Sequence, residues 1–308
     1  MRTNTVRGPG GDAAVLRLKD TPGGLALTSD VNPVYCALDP RRGGMQAVAE
    51  AVRNLACVGA EPVGLTDCLN FGNPERPEIT WQFREAVFGM SEACRALAVP
   101  VISGNVSFYN ETEGKSIYPT PTVAMVGVLP SLSALPEAAF TRAGDRLVLL
   151  GEEAAEFGGS AYLRLLHGIE QGLPPAVDLD AERRLAELLR HLIGRGCLST
   201  AHDLSEGGLA VALAEAAIGR GLGCRVAVES IGAAELFSEA QARAVVAARP
   251  EHLEGVLQAA QKAGVPAVEI GEAGGDSLSV RFDGGSFALP VADLYSAWST
   301  ALPRALGL

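Results

Sequence analysis

The chain has 308 residues, of which 48% are hydrophobic and 20% are charged, and its formal net charge is -11. This length exceeds the usual size of a single hydrophobic core, so two domains are expected. The acidic balance argues against a nucleic-acid partner or a membrane-binding surface, because clusters of Lys and Arg that displace counterions are lacking.

No apolar run in the sequence is long enough to cross a bilayer, and the amino terminus lacks the basic and apolar pattern of a signal peptide. A soluble, cytoplasmic protein is therefore expected. The six cysteines show no C-x-x-C spacing and mostly lie inside apolar runs, which favours buried free thiols over disulfides or a zinc site.

Residues 10–30 have the pattern of a β-hairpin, with apolar runs on either side of the turn at residues 19–24. Antiparallel pairing would make Asp12 and Asp30 neighbours. Two adjacent carboxylates repel each other unless a cation or a proton lies between them, so a magnesium site is one interpretation. Ordinary solvated strand ends are the other.

A helix is predicted over residues 45–58, where apolar residues recur at helical spacing. Glu50 and Asn54 are four residues apart and therefore share one face of this helix. Their oxygens could reach one hard cation, although a hydrogen-bonded surface pair would have the same spacing.

Two short strands are predicted at residues 62–65 and 99–103, separated by a helix over residues 77–97. Asp67 follows the first strand, and Gly104, Asn105 and Ser107 follow the second. In layered α/β proteins ligands bind beyond the carboxyl ends of strands, so the two polar exits are expected to line one site.

A Pro-, Ser- and Ala-rich stretch at residues 130–143 predicts a linker, which places the domains at residues 1–140 and 141–308. The second domain is again predicted to be a sheet with helices. Its strands are expected at residues 145–151, 224–228, 243–248, 267–271 and 277–282, and its helices at residues 181–192 and 207–217.

The segment from His202 to Gly208 immediately precedes the second of these helices. Ser205 has the residue type and position of a helix cap. A helix amino terminus that also offers glycines and Asp203 is equally suited to a phosphate and its metal ion.

Five stretches carry a resemblance to a known family. In sequence they are GGDAAV at residues 10–15, TDCLNFGNPE at 66–75, SGNVSFYN at 103–110, YPTP at 118–121 and DLSEGG at 203–208. Together they resemble the carboxy-terminal half of the phosphoribosylformylglycinamidine synthase family. The resemblance implies a two-domain α+β and α/β fold of the aminoimidazole ribonucleotide synthetase type, with an amino-terminal barrel-forming domain and a carboxy-terminal α/β sandwich domain.

The family resemblance also implies an activity and partners. Such enzymes use ATP and Mg²⁺ to convert formylglycinamide ribonucleotide to the amidine, with ammonia from a glutaminase subunit and with a small bridging subunit. The amino-terminal half of the synthetase, which holds the catalytic histidine in this family, has no counterpart in this sequence. No catalytic residue is therefore assigned, the chain is expected to be inactive without that half, and the isolated chain is expected to form a homodimer.

Site residues transfer position by position from the resemblance. Asp67 and Gly104 match ATP-binding positions, Asn105 matches a magnesium-binding position and Ser107 a substrate-binding position. A second, auxiliary magnesium-nucleotide pocket is implied, in which Asp12, Glu50, Asn54 and Asp203 bind metal and Ser205 binds the nucleotide. For His202, which is next to this pocket, an orienting or structural role is expected.

Three alternatives remain open at this point. The chain could be a non-catalytic scaffold that binds magnesium nucleotide through the second pocket. It could be a stand-alone ATP-dependent relative, such as aminoimidazole ribonucleotide synthetase or a selenophosphate or thiamin-phosphate kinase type of enzyme, although the long motifs at 66–75 and 103–110 argue against this. Finally, the chain could be an inert domain in which the Gly and Asn residues of these motifs are present only because they favour turns.

Overall fold

Two β-sheets with associated helices organise the chain, one within residues 5–129 and one within residues 146–290. The structure is a computed structural model that describes residues 4–8, 10–228 and 230–307. The predicted two-domain mixed α/β fold is confirmed.

The first part holds a six-stranded sheet in the order β1-β2-β3-β8-β4-β5, with a separate small β6–β7 hairpin. Its elements in chain order are β1 (Thr5–Arg7), β2 (Ala14–Arg17), β3 (Gly24–Asp30), α1 (Pro33–Leu38), α2 (Pro40–Cys57), β4 (Glu61–Asn70), α3 (Pro77–Ala96), β5 (Val101–Ser107), β6 (Glu111–Thr112), β7 (Lys115–Ser116) and β8 (Thr120–Leu129). The predicted hairpin is β2–β3, and α3 connects the parallel pair β4–β5.

Helices α2 and α3 pack on one face of this sheet, where Val123 and Met125 of β8 are fully buried. The opposite face is not covered: Leu27 and Val128, which project from it, are 38% and 37% exposed. Strand β5 forms one edge, and its Ile102 is 68% exposed. This part of the chain therefore leaves an apolar sheet face and a sheet edge exposed.

The prediction that Asp67 lies at a strand exit is wrong. β4 continues through Asn70, because residues 67–70 pair with β8 on one side and with β5 on the other. Gly104, Asn105 and Ser107 likewise lie within β5. Pairing with two neighbouring strands outweighs the local turn preference of the Asn and Gly residues.

The second part holds a seven-stranded sheet in the order β10-β12-β9-β13-β11-β14-β15. Its elements in chain order are β9 (Arg146–Leu150), α4 (Ala161–His167), α5 (Leu179–Gly194), β10 (Leu198–Asp203), α6 (Gly208–Ile218), β11 (Cys224–Val228), a 3₁₀ turn (Glu235–Phe237), β12 (Ala244–Ala248), α7 (Pro250–Ala263), β13 (Ala267–Ala273), β14 (Ser277–Phe282), β15 (Gly285–Pro290) and α8 (Val291–Ala305). All the predicted strands and helices of this part are present, whereas α4, β10, α7, β15 and α8 were not predicted.

Alternate residues of β9 enter two separate cores. Val148 and Leu150 pack with α5 and α7 in a core that is continuous with the first sheet. Leu147 and Leu149 pack with α6 and Val291 of α8. This period-two alternation is that of a strand covered on both faces, so the second sheet is sandwiched between helices.

The stretch predicted as a linker is anchored on the second sheet. Phe140 is fully buried in the core below α6, and Glu137 forms an isolated bridge to Thr200. The domain boundary after residue 140 stays a prediction.

Four of the six cysteines are buried and none forms a disulfide, but Cys68 is exposed and Cys197 is half-buried, so the prediction of buried thiols is wrong for these two.

Candidate nucleotide and metal sites

Asp67 and Gly104 face each other across the parallel β4–β5 pair. A Cβ atom on residue 104 would lie only 2.4 Å from Asp67 Oδ1, so a residue with a side chain would displace the carboxylate. The main-chain N–H of Asn105 donates a hydrogen bond to Asp67. Glycine at 104 therefore leaves the space in which this carboxylate lies.

The side chains of Asp67 and Asn105 point to opposite faces of the sheet. Asp67 is in register with buried Val123, on the face covered by helices, whereas Asn105 and Ser107 alternate with Gly104. Thr66 Oγ1 and Ser103 Oγ, on the uncovered face, are 2.7 Å apart. The expectation that the Asp67 and Asn105 side chains meet is therefore wrong, because strand alternation separates them.

The β4–β5 wall is open to solvent, since all β5 residues except Ser107 are exposed. Ser107 is half-buried and its hydroxyl donates to Asn110 Oδ1 at 3.2 Å. Partial burial raises the pKa of Asp67, and the Asn105 N–H moderates that rise. The open wall, by which we mean Asp67 together with residues 103–107, offers oxygen ligands but no cationic side chain.

A second set of predicted residues meets between the two sheets. Asp12 and Asp30 from the hairpin, Glu50 and Asn54 from α2, and Asp203 and Ser205 from the end of β10 and the turn after it line one cavity of about 980 Å³. Asn54 Nδ2 donates to Asp30 Oδ1 at 2.7 Å. The structure thus brings together all the residues predicted for the auxiliary pocket, here called the enclosed site.

Arg53 supplies most of the positive charge of the enclosed site. Its guanidinium is 1% exposed and contacts Glu182 at 2.6 Å and Asp203 at 3.3 Å. Burial raises the pKa of Asp30 and of Asp203 to about 6, despite the opposing field of Arg53. Burial and the nearby Asp203 also raise the pKa of Glu50 well above its usual value. The carboxylates outnumber the cations around them.

His202 contacts this cluster, and its orienting or structural role stays a prediction. Its Nδ1 lies 2.5 Å from Asp12 Oδ1 and its Nε2 lies 3.2 Å from Glu215. Burial alone would lower the pKa of His202, but the two carboxylates raise it well above its ordinary value. The imidazolium therefore partly offsets the charge of Asp12.

The ligand atoms of Asp12, His202 and Asp203 all lie within 4.8 Å of one another, and His202 could bind a metal only in its neutral form. Asp12 Oδ2 is buried without a hydrogen-bond partner among the described residues, whereas His202 contacts the other oxygen of this carboxylate and the weak donor Cys57 lies beside it. Carboxylate and amide oxygens are the ligands that Mg²⁺ prefers. The donor set and the excess negative charge both fit a divalent cation.

The amino terminus of α6 is occupied by a residue that sequence reasoning missed. Glu239 Oε1 accepts from the N–H of Gly207 at 2.9 Å and of Ala161 at 2.8 Å, and Tyr35 donates to the other oxygen. The Ser205 side chain makes no cap bond, and only its carbonyl accepts from Gly208. The prediction of Ser205 as the helix cap is therefore wrong, and a protein carboxylate takes the place expected for a phosphate.

The fold defines a two-domain α/β protein, in which each consecutive domain carries a β-sheet with associated helices. The chain belongs to the AIR synthase related family, whose amino-terminal domain matches residues 10–129 and whose carboxy-terminal domain matches residues 142–283.

The PurL subunit of phosphoribosylformylglycinamidine synthase from Moorella thermoacetica is 54% identical over 98% of the chain, and that of Alkaliphilus metalliredigens is 49% identical over 98%. The predicted kinship with this synthase is confirmed. The chain spans 42% and 41% of the lengths of these two relatives.

Solved structures share the fold. Thermotoga maritima PurL complexed with FGAR covers 96% of this chain with a TM-score of 0.80 at 20% identity, and the chain covers 49% of it. The hydrogenase maturation protein HypE covers 92% at a TM-score of 0.65 and 20% identity, and the chain covers 94% of HypE. Among the described residues, no helix combines the length and apolar character that a membrane span requires.

Proposed function

We propose that this chain is one half of an ATP-dependent synthetase that converts formylglycinamide ribonucleotide and ammonia to formylglycinamidine ribonucleotide in purine biosynthesis. The observation that carries the proposal is the open wall. It places an aspartate, a glycine and an asparagine on adjacent parallel strands, in a chain that is about half identical to PurL subunits. Thermotoga PurL structures complexed with FGAR and with ATP support the substrate and the nucleotide.

In this proposal Asp67 and Gly104 contribute to the ATP site at the exposed β5 edge of the sheet, where Gly104 leaves the backbone open to the nucleotide. Asn105 holds Mg²⁺ and Ser107 contacts the ribonucleotide from the uncovered face. Phosphoryl transfer depends mainly on positioning and charge neutralisation, which oxygen ligands and Mg²⁺ supply. Because the open wall has no cationic side chain and no general acid or base, the amino-terminal half has to provide them, and a glutaminase subunit with a bridging subunit has to deliver the ammonia.

Reconstitution tests this function. The chain is mixed with the remaining segment of a PurL subunit, such as that of Moorella thermoacetica, and ADP formation is measured with formylglycinamide ribonucleotide and ammonium. Activity should appear only in the mixture and should fall at least about 100-fold in Asp67→Ala, since the loss of a preorganised transition-state contact has effects of this size. Asp180→Ala on the exposed surface of α5 is the control. Turnover by the isolated chain, or wild-type activity of Asp67→Ala, would contradict the proposal.

A second function is favoured by the enclosed site. We infer that Asp12, Glu50, Asn54 and Asp203 bind a magnesium nucleotide that holds the two sheets together, with Ser205 near its phosphates. The unpartnered Asp12 Oδ2 and the excess of carboxylates support this scaffold role. In calorimetry with Mg²⁺ and ATP, Asp12→Ala should abolish binding to the isolated chain and Asp67→Ala should not. The reverse pattern would place the nucleotide on the open wall.

A further inference from the structure

We propose that Tyr295 and Trp298 of α8 form the stacking platform for the base of the nucleotide in the enclosed site. This inference rests on the proposed second function, because it concerns the ligand of that same site. It assigns a role to a helix that neither the open wall nor the metal ligands use.

The two aromatic side chains line the same cavity as Asp12 and Asp203. Tyr295 is 53% exposed and Trp298 is 60% exposed, with ring centroids 6.1 Å apart and planes inclined by 40°. α8 is held by its other side, where Val291 is buried and Leu294 packs against the core below α6. The helix is therefore anchored, and its aromatic residues are presented at the cavity rather than packed in the core.

One part of the cavity is lined by acidic side chains and another part by aromatic side chains, and the two parts suit different groups of a ligand. The acidic part includes Asp12, whose side chain is 3% exposed and whose Oδ2 lacks a partner, so it is suited to a divalent cation. The aromatic part offers exposed π-faces, on which a planar ring stacks. A ligand that uses both parts carries a metal-chelating group and a planar ring, which is the chemistry of a nucleoside diphosphate or triphosphate with Mg²⁺.

The volume of the cavity agrees with a ligand of this class. About 980 Å³ lies near the upper end of the range of roughly 300–1,000 Å³ for small-molecule pockets. Base stacking on an aromatic side chain is worth about 1–3 kcal/mol by alanine substitution. A platform at Trp298 should therefore raise the affinity for the nucleotide about fivefold to 150-fold, with little effect on the metal ligands.

Tryptophan fluorescence reports on this platform directly. The sequence contains two tryptophans, and Trp81 lies on α3, away from the residues that line the cavity. In Trp81→Phe, titration with Mg²⁺ and ADP should quench the fluorescence of Trp298. Calorimetry should show a Kd raised about fivefold or more in Trp298→Ala and changed less than about threefold in Trp298→Phe, which keeps an aromatic face. Leu302→Ala, an exposed residue of the same helix, should leave the Kd unchanged.

The outcomes separate this inference from the function on which it rests. If Asp12→Asn abolishes ADP binding while Trp298→Ala leaves the Kd unchanged and Trp298 is not quenched, the platform is overturned and the second nucleotide site stands. If wild-type chain binds no ADP, or if Asp12→Asn and Asp203→Asn leave binding intact, both fail. Circular dichroism and thermal midpoints matching wild type would show that each variant is folded.

Discussion

The open wall and the enclosed site contain the same kinds of ligand atom in opposite surroundings. The open wall lies on an edge strand whose residues are almost all exposed. The enclosed site lies between two sheets, where Arg53 and Asp203 are 1% and 5% exposed. Only the enclosed site has cations of its own, in Arg53 and His202, and both of its walls belong to this chain.

This difference in exposure indicates which of the two sites depends on a second polypeptide. Exposed carboxylates remain hydrated, and their hydration offers no strong driving force for binding a cation. Buried carboxylates have lost that hydration, so an uncompensated charge is costly and a bound cation stabilises the folded chain. The enclosed site should therefore work in the isolated chain, whereas the open wall should work only when another half covers it.

The largest expected effect is at Arg53. Arg53→Met would leave Glu182 and Asp203 buried without their cation, and should lower the free energy of unfolding by about 3–5 kcal/mol, measured by urea denaturation. Arg183→Met on the exposed face of α5, which removes a 3.1 Å contact with Glu187, should leave the free energy of unfolding close to the wild-type value, because a solvent-exposed ion pair contributes little. Equal effects of the two substitutions would mean that the enclosed charges do not depend on Arg53.

On the open wall, Gly104→Ala should lower kcat/KM of the reconstituted synthetase about 100-fold. The new methyl group would displace the Asp67 carboxylate, and a misplacement of about 1 Å can have an effect of this size. Gly255→Ala in α7, where a Cβ meets no neighbour, should keep full activity and stabilise the chain by about 0.4–1 kcal/mol. Full activity of Gly104→Ala would remove Asp67 from the nucleotide site.

Stability without metal should decrease as pH rises through 6. The pKa values of Asp30 and Asp203 are about 6 in the folded chain, above the unfolded value of 3.8, so the folded state binds more protons between these limits. Their contribution is greatest below pH 4 and is lost progressively above it, at about 2 kcal/mol in total between pH 5 and 7.

Thermal unfolding with a chelator present checks this pH dependence. In the double variant Asp30→Asn, Asp203→Asn the thermal midpoint should change less with pH than in the wild type. In Asp180→Asn, whose side chain is 77% exposed, the midpoint should depend on pH as in the wild type. A wild-type midpoint that rises between pH 5 and 7 would contradict the assigned pKa directions.

The smallest expected effect concerns Ser205. Because its side chain makes no cap bond, Ser205→Ala should change stability by less than about 0.5 kcal/mol. Ser160→Ala, which removes a cap bond to the N–H of Leu163 at 3.2 Å, should cost about 1 kcal/mol. A loss of 1 kcal/mol or more in Ser205→Ala would restore the helix-cap interpretation.

Sequence patterns predicted much of the fold, because hydrophobic periodicity is local. The apolar stripe of α3 and the runs that form β11 and β14 each lie within one segment. The length of β4 was not predictable in this way, since its end depends on pairing with β8, which begins 50 residues after it. Local turn preference at Asn70 therefore gave a wrong strand end.

Local sequence patterns also did not predict all the residues of the enclosed site. Its carboxylates were predicted from hairpin pairing, helical spacing and the family resemblance, but the residues that organise them come from distant positions without a motif of their own. Glu182 is 129 residues from Arg53, and Glu239 is 32 residues from the Gly207 N–H that it accepts. An internal Arg in an apolar helix, such as Arg53, is the one sequence signal that could have indicated a buried ion pair.

The number of nucleotides bound by the isolated chain tests most directly whether the enclosed site is complete within it. Equilibrium dialysis with labelled ATP and saturating Mg²⁺ should give one nucleotide per chain in wild type and in Asp67→Ala, and none in Asp203→Asn. Absence of bound nucleotide in wild type, or its loss in Asp67→Ala with retention in Asp203→Asn, would contradict the account.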